Sequence, residues 1–298
     1  MTCFTALISF IAPLIAIWVP LGLAPLLVTA ALLGLPLFRF RIGAWPDFRG
    51  PMPIFLAVFA AWSLVTLAWT PDFPDAIRKL GSLIPLVALG LAFRACTRLN
   101  VNERVVSIAI VAGTALAIVL VFLEKFSGAS VYRLIGGDLP TGDGTDFFNR
   151  YNRGMTVIAL LVWPAARAAG RFHPLAEIAL LSMAICLSTY MNSGAAVLAL
   201  LLGTMAYFLV WLFHRRRIMW WLGALTAASV LLAPVAVERL PGNGANTSIK
   251  SSLPNSAYHR LLIWKFASDR IDERWFSGWG FNASRAIPGA EKNIDTNL

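Results

Sequence analysis

The stretch VVSIAIVAGTALAIVLVFL, residues 105 to 123, decides the fold of this chain. It carries no charged residue, and as an α-helix it would be about 28 Å long at a rise of about 1.5 Å per residue. That length nearly matches the ~30 Å hydrocarbon core of a bilayer. A helix that is apolar on every side has no face to turn towards water. The stretch therefore predicts a membrane-spanning helix.

Eight further apolar windows flank this stretch, at residues 4–19, 21–37, 53–69, 77–93, 154–170, 175–189, 193–213 and 218–236. Hydrophobic residues make up 58% of the chain and charged residues 13%, and the mean hydropathy is +0.71. An ordinary soluble domain has about 25% charged residues. The composition excludes such a domain. We predict an all-α fold, a polytopic transmembrane helix bundle of about nine spans.

The net charge of +10 comes from arginines that follow alternate windows. Basic residues collect on cytoplasmic connections of membrane proteins, so this pattern predicts a multi-pass membrane protein with a cytoplasmic N-terminus. It argues against a nucleic-acid surface. The clusters are Arg39, Arg41 and Arg49; Arg94, Arg98 and Arg104; Arg167 and Arg171; Arg215, Arg216 and Arg217.

The same orientation divides the chain into a membrane region, residues 1–236, and the start of a large loop on the non-cytoplasmic side, residues 237–298. From about Ala257 to Arg274 apolar residues recur at spacings of three and four, which predicts an amphipathic helix. Trp264 and Trp275 suit the bilayer interface. The polar pair His259 and Arg260 opens this helix.

Two more arginines, Arg150 and Arg153, stand before the window 154–170 and are predicted to lie on the non-cytoplasmic side. Their spacing of three places both on one helical face. Two interpretations remain open, namely a clamp for an anion and snorkelling into lipid headgroups.

Metal and nucleotide chemistry find no support in the sequence. Cys3, Cys96 and Cys186 form no metal-ligand spacing, and no phosphate-binding glycine-rich loop is present. Asp72 and Asp75 have basic neighbours, which favours a salt-bridged helix start over a cation site. We predict no metal and no cofactor.

Four short segments resemble the O-antigen ligase and polymerase superfamily of bacterial inner-membrane glycosyltransferases. They are WSLVTLAWTPD at 62–72, NRYNR at 149–153, RLLIW at 260–264 and FSGWGF at 276–281. Their order and predicted side of the membrane agree over essentially the whole chain. One departure is Gly194 after Ser193, where the family often has an arginine.

The resemblance implies transfer of a glycan from undecaprenyl diphosphate to a sugar of lipid A core on the periplasmic face. It implies that Arg260, and after it Arg153 or Arg150, binds the diphosphate. A histidine would be the base, and His259 lies on the correct side, although the family places that histidine beyond the Gly-Trp-Gly turn. The expected partners are the lipid-linked glycan, the acceptor and membrane lipids.

Other functions stay open at this stage. A polymerase of the same superfamily would need the same diphosphate site. A membrane transporter or flippase is a different class, disfavoured because the helix interiors carry few charges and show no repeat. Family members have about twelve helices, so the chain is expected to be a fragment or an inactive truncated remnant.

Overall fold

The computed structural model describes residues 1–97, 101–134, 151–213, 216–238 and 255–290 of the protein. Every apolar window of the sequence is helical over nearly its whole length, and the described ranges contain no strand. The helices are α1 Thr2–Trp18, α2 Leu23–Ile42, α3 Pro51–Thr66, α4 Phe73–Thr97, α5 Glu103–Phe126, α6 Ser130–Leu134, α7 Tyr151–Gly170, α8 Pro174–Tyr190, α9 Gly194–Phe213, α10 Arg216–Glu238 and α11 Asn255–Glu273.

Six helical segments of the described chain are long and apolar enough to cross a membrane: Pro20–Ile42, Pro51–Trp69, Phe73–Thr97, Glu103–Phe126, Gly194–Phe213 and Ile218–Val237. The apolar helices α1 and α8 are shorter, at 17 residues each. The ninth window corresponds to α7, which has 20 residues. The predicted all-α polytopic bundle is confirmed.

Local sequence sets several helix boundaries. Oδ1 of Asn102 accepts hydrogen bonds from the backbone N–H groups of Arg104 and Val105, at 3.0 and 3.3 Å, which caps the start of α5. At the start of α8, Nδ1 of His173 accepts from the N–H of Leu175 at 3.2 Å. Gly43 ends α2 with a φ of 75°, a left-handed conformation that glycine adopts without a steric cost.

The described chain divides into two compact units. The first consists of Met1–Arg49 and Leu86–Phe208, and the second of Gly50–Pro85 and Leu209–Leu298. In the first unit α1, α5, α7 and α8 surround a buried apolar cluster. Its largest members include Ile17, Ile118, Met155, Ile158 and Leu187.

Close backbone contact holds α1 in the first unit. A Cβ atom at Gly113 of α5 would lie 2.3 Å from the carbonyl oxygen of Phe10. One at Gly154 of α7 would lie 2.6 Å from the carbonyl oxygen of Ile17. Small residues let membrane helices approach at backbone distance, and here they seat α1 against two neighbours.

A charged group joins α7, α8 and α9 of the same unit. Nη1 of Arg167 lies 3.2 Å from Oε1 of Glu177, and it donates a hydrogen bond to the hydroxyl of Tyr207. The Tyr207 ring lies 5.9 Å from that of Trp163. Arg167, which the sequence pattern assigns to a cytoplasmic connection, therefore also links three helices.

The second unit contains α3, the beginning of α4, α10, α11 and the turn that follows α11. Helix α11 packs against α10. The amphipathic pattern predicted this helix at about 257 to 274, and it spans Asn255–Glu273.

Candidate functional site

Helix α11 presents the candidate cation near its beginning. Arg260 is exposed, and it forms no ion pair with a carboxylate in the described part of the chain. An arginine without an acidic partner keeps all its donors for an incoming anion. Further along the helix, the hydroxyl of Ser268 donates to the carbonyl oxygen of Pro234 at 2.8 Å, which fixes α11 to α10.

The turn after α11 folds back onto the helix. Nε1 of Trp279 donates a hydrogen bond of 2.7 Å to the carbonyl oxygen of Arg270. The guanidinium of Arg274 lies 4.2 Å from the centre of a Trp279 ring, well inside the range of a cation–π contact. These two contacts explain why a tryptophan stands in the Gly-Trp-Gly turn.

The same turn is anchored to the connection between α3 and α4 and to the first turn of α4. The hydroxyl of Thr70 donates to the carbonyl oxygen of Phe281 at 2.9 Å. Nδ2 of Asn282 donates to Oδ2 of Asp75 at 2.7 Å. We call the contacts of Thr70 and Asp75 with Phe281 and Asn282 the latch.

Apolar packing and a close backbone approach complete the latch. Phe281 packs on a small buried cluster of Leu67, Ala76 and Leu80. Gly280 has a φ of 95°, and a Cβ atom there would lie 2.7 Å from Cα of Thr70. Only glycine combines that backbone conformation with so close a neighbour.

Asp75 has two partners in this arrangement. One oxygen accepts from Asn282 and the other pairs with the guanidinium of Arg78. Oδ1 of Asp72 accepts from the backbone N–H of Asp75 at 3.1 Å. The predicted salt-bridged start of α4 is confirmed. No group of His, Cys, Asp or Glu that could hold a metal occurs among the residues that the structure describes.

The remaining predicted site residues are distributed as follows. Arg153 lies exposed at the beginning of α7 in the first unit, whereas Arg260 belongs to the second unit. Arg150 lies outside the described residues. His259 falls within α11, and its side chain lies outside what the structure describes.

Sequence reasoning missed several residues that shape these units. No motif singled out Thr70 or Asn282, although Thr70 lies within the segment WSLVTLAWTPD and Asn282 directly follows the segment FSGWGF. Glu124, near the end of α5, is fully buried. A carboxylate at the last turn of an apolar helix is a weak signal, because the same pattern is common at helix ends that lie in water.

The fold and helix α11 define a polytopic membrane protein with an amphipathic helix, which carries three basic and three acidic residues, beside its last described span. A family model described as O-antigen ligase matches residues 178–297, which include Arg260 and the Gly-Trp-Gly turn. The match supports assignment of the chain to the O-antigen ligase superfamily and confirms the resemblance found in the motifs.

A curated relative points the same way. A protein of Rickettsia bellii (strain RML369-C), named provisionally as a polysaccharide ligase, is 25% identical over 243 residues, which is 76% of this chain. The chain spans about half, 54%, of that relative's length. No solved structure matches the chain significantly.

Proposed function

We propose that this chain belongs to a lipid-carrier-dependent glycosyltransferase of the ligase type. It would transfer a glycan from undecaprenyl diphosphate to a sugar of lipid A core on the periplasmic face of a bacterial inner membrane. The observation that carries the proposal is the exposed Arg260, which has no carboxylate partner among the described residues and lies on a helix inside the family match. The described face of α11 thus offers a cation beside a membrane span.

The reaction explains why a cation is needed. The acceptor hydroxyl oxygen attacks the anomeric carbon, the bond from that carbon to the phosphate oxygen breaks, and the diphosphate leaves with the electron pair. Negative charge grows on the leaving group, and a fixed guanidinium stabilises it. Arginine stays protonated throughout and offers a forked set of donors.

Two further roles complete the proposal. The hydroxyl proton must pass to a base, and His259, next to Arg260, is the candidate that this chain offers. Arg153 and Arg150 are proposed as additional diphosphate contacts. The proposed partners are the lipid-linked glycan, the lipid A core acceptor and membrane lipids, with no metal or cofactor.

The latch supports the proposal through positioning. It joins the connection after α3 to the turn after α11, and that turn is bonded to Arg270 and Arg274 of the segment that carries Arg260. A site that must hold a diphosphate within a few tenths of an ångström needs such support. Thr70, Asp75 and Asn282 are therefore positioning residues.

A transfer assay tests the proposal. The full-length protein is reconstituted with undecaprenyl diphosphate-linked glycan and a lipid A core acceptor, and the product is followed by gel mobility. We expect Arg260→Ala to lower the rate at least about a hundredfold and Arg260→Lys to recover part of it, because removal of one fixed donor to a developing anion costs a factor of this order. Lys265→Ala, which removes a cation from the same helix, is the matched control.

Two results would contradict this function. Undiminished transfer by Arg260→Ala would remove the proposed role of that residue. Chain growth on the carrier-linked glycan without lipid A core would identify a polymerase of the same superfamily in place of a ligase.

A further inference from the structure

An apolar groove of about 540 Å³ runs between α10 and α11, inside the second unit. One wall comes from the last turns of α10 and includes Ala233 and Pro234. The other comes from α11 and includes Trp264, Ala267, Ser268 and Ile271. Its volume falls in the range of sites that bind small molecules.

The groove walls suit hydrocarbon. Ser268 is 2% exposed, and its hydroxyl is already committed to the carbonyl oxygen of Pro234. That bond occupies the Ser268 hydroxyl, so apart from the indole N–H of Trp264 a ligand meets methyl, methylene and indole-ring surface on the α11 wall. Polar ligands would lose hydrogen bonds with water on entering such a groove, whereas a hydrocarbon chain loses none.

The groove continues from a membrane span. It adjoins the C-terminal end of the segment Ile218–Val237, in which no residue of the apolar window is buried. Val230, Leu231 and Leu232 of this segment are all largely exposed. A lipid chain could therefore pass along α10 into the groove without crossing a polar surface.

Arg260 lies near the groove, at a position suited to the charged head group of a lipid whose chain occupies the groove. Arg260, Trp264, Ala267, Ser268 and Ile271 follow one another at spacings of four, three, one and three, which places them along one face of α11. The rise between Arg260 and Trp264 is about 6 Å, one turn of helix. A cation thus lies one turn beyond the apolar groove. An anionic lipid with a long chain needs this arrangement, because its chain can occupy the groove while its head group contacts the cation.

We infer that this groove binds the first part of the hydrocarbon chain of the diphosphate-bearing carrier lipid. This inference rests on the proposed function, because the diphosphate is what Arg260 would hold. It assigns the chain of the carrier, which the proposed chemistry leaves unplaced, to the surface of α10 and α11. It also gives these two helices a shared task in orienting the lipid.

Photolabelling tests the location. Undecaprenyl diphosphate with a diazirine in its first isoprene units is bound to the full chain in phosphatidylcholine nanodiscs, irradiated, and mapped by peptide mass spectrometry. We expect adducts on residues 230–237 and 264–271. Adducts spread over the exposed faces of other helices, with these two segments unlabelled, would overturn the inference.

Filling the groove tests the binding. Ala233→Trp places an indole in the groove, and Ala224→Trp, on the same helix outside the lining, is the matched control. We expect Ala233→Trp to weaken undecaprenyl diphosphate binding by only about fivefold. The effect is small because the chain moves from one apolar environment, the bilayer, to another, the groove, and gains mainly packing contacts. Inorganic diphosphate, which has no hydrocarbon chain, should bind both variants alike. Ala267→Leu fills the opposite wall with a smaller change if Ala233→Trp does not fold.

The remaining outcomes separate the two proposals. Equal undecaprenyl diphosphate binding by Ala233→Trp, Ala267→Leu and Ala224→Trp would overturn the groove assignment, whatever Arg260 does. A photoactivatable phosphatidylglycerol is also tested against undecaprenyl diphosphate. If it labels the groove as strongly as the carrier lipid and competes with it equally well, the groove binds bilayer lipids in general, and the assignment to the carrier chain is wrong. If Arg260→Ala leaves diphosphate binding and transfer intact while labelling of the groove persists, the proposed role of Arg260 fails and the groove assignment stands.

Discussion

Asn282 donates a hydrogen bond of 2.7 Å to the carboxylate of Asp75, a residue 207 positions earlier in the chain. Thr70 and Phe281 make a second bond of this kind, at a separation of 211. These bonds connect two segments that the sequence presents only as separate motifs. The relation between WSLVTLAWTPD and FSGWGF is thus a physical contact.

A charge swap tests the bond between Asp75 and Asn282. Asn282→Asp places two carboxylates at hydrogen-bond distance, and like charges so close repel. We expect the turn after α11 to loosen and to be cleaved several-fold faster in limited proteolysis. The double variant Asp75→Asn with Asn282→Asp restores a donor and an acceptor, so its cleavage should return towards that of the original protein. Equal cleavage of all three proteins would show that the bond does not hold the turn.

Gly280 and Gly278 form a matched pair in the same turn. Both have positive φ, at 95° and 65°, but only Gly280 lacks room for a Cβ atom. Gly278→Ala should cost about 1 kcal/mol from backbone strain alone. Gly280→Ala adds the collision with Thr70 and should cost at least about 2 kcal/mol more, in the range of overpacking. Thermal unfolding in detergent measures both, and equal losses would contradict the close approach.

Gly113 tests the seating of α1. Gly113→Ala directs a methyl group at the backbone of Phe10, and we expect a loss of about 1–3 kcal/mol of stability. Gly223 of α10 also lies inside a helix, and a methyl group added there would meet no atom within 4 Å, so Gly223→Ala should be neutral or stabilising by up to about 1 kcal/mol. If Gly113→Ala is as well tolerated as Gly223→Ala in thermal unfolding, α1 does not pack at backbone distance.

The orientation in the membrane is tested by cysteine labelling. Cys3, Cys96 and Cys186 are first replaced by alanine, and then Ala44→Cys or Ser277→Cys is introduced at an exposed position. The arginine pattern places Ala44 in the cytoplasm and Ser277 in the periplasm. A membrane-impermeant maleimide should label only Ser277→Cys in cells with a permeable outer membrane, and both variants after lysis. Labelling of Ala44→Cys in intact cells would reverse the orientation.

The sequence predicted the helices well, because each span needs a long apolar segment, and that requirement is local. The position of α11 followed from its own periodicity, and the salt bridge at the start of α4 from the basic residues that stand near Asp72 and Asp75. The latch could not be predicted, because the hydrogen bonds of Thr70 and Asn282 depend on partners about 200 residues away. Nor does spacing along one helix reveal that Gly113 faces the backbone of Phe10. The division into two units, with α4 contributing to both, is likewise a property of the packing.

The large separation between the two sides of the latch has a consequence for biosynthesis. A ribosome adds roughly 5–20 residues per second, so Asn282 is made about 10 to 40 s after Asp75. During that interval the connection after α3 must remain in water with its hydroxyl and carboxylate hydrated, while the intervening helices enter the membrane. Closure of the latch is therefore a late event in the assembly of the described chain, and the helix that carries Arg260 acquires its final support only after the helices made before it have been inserted.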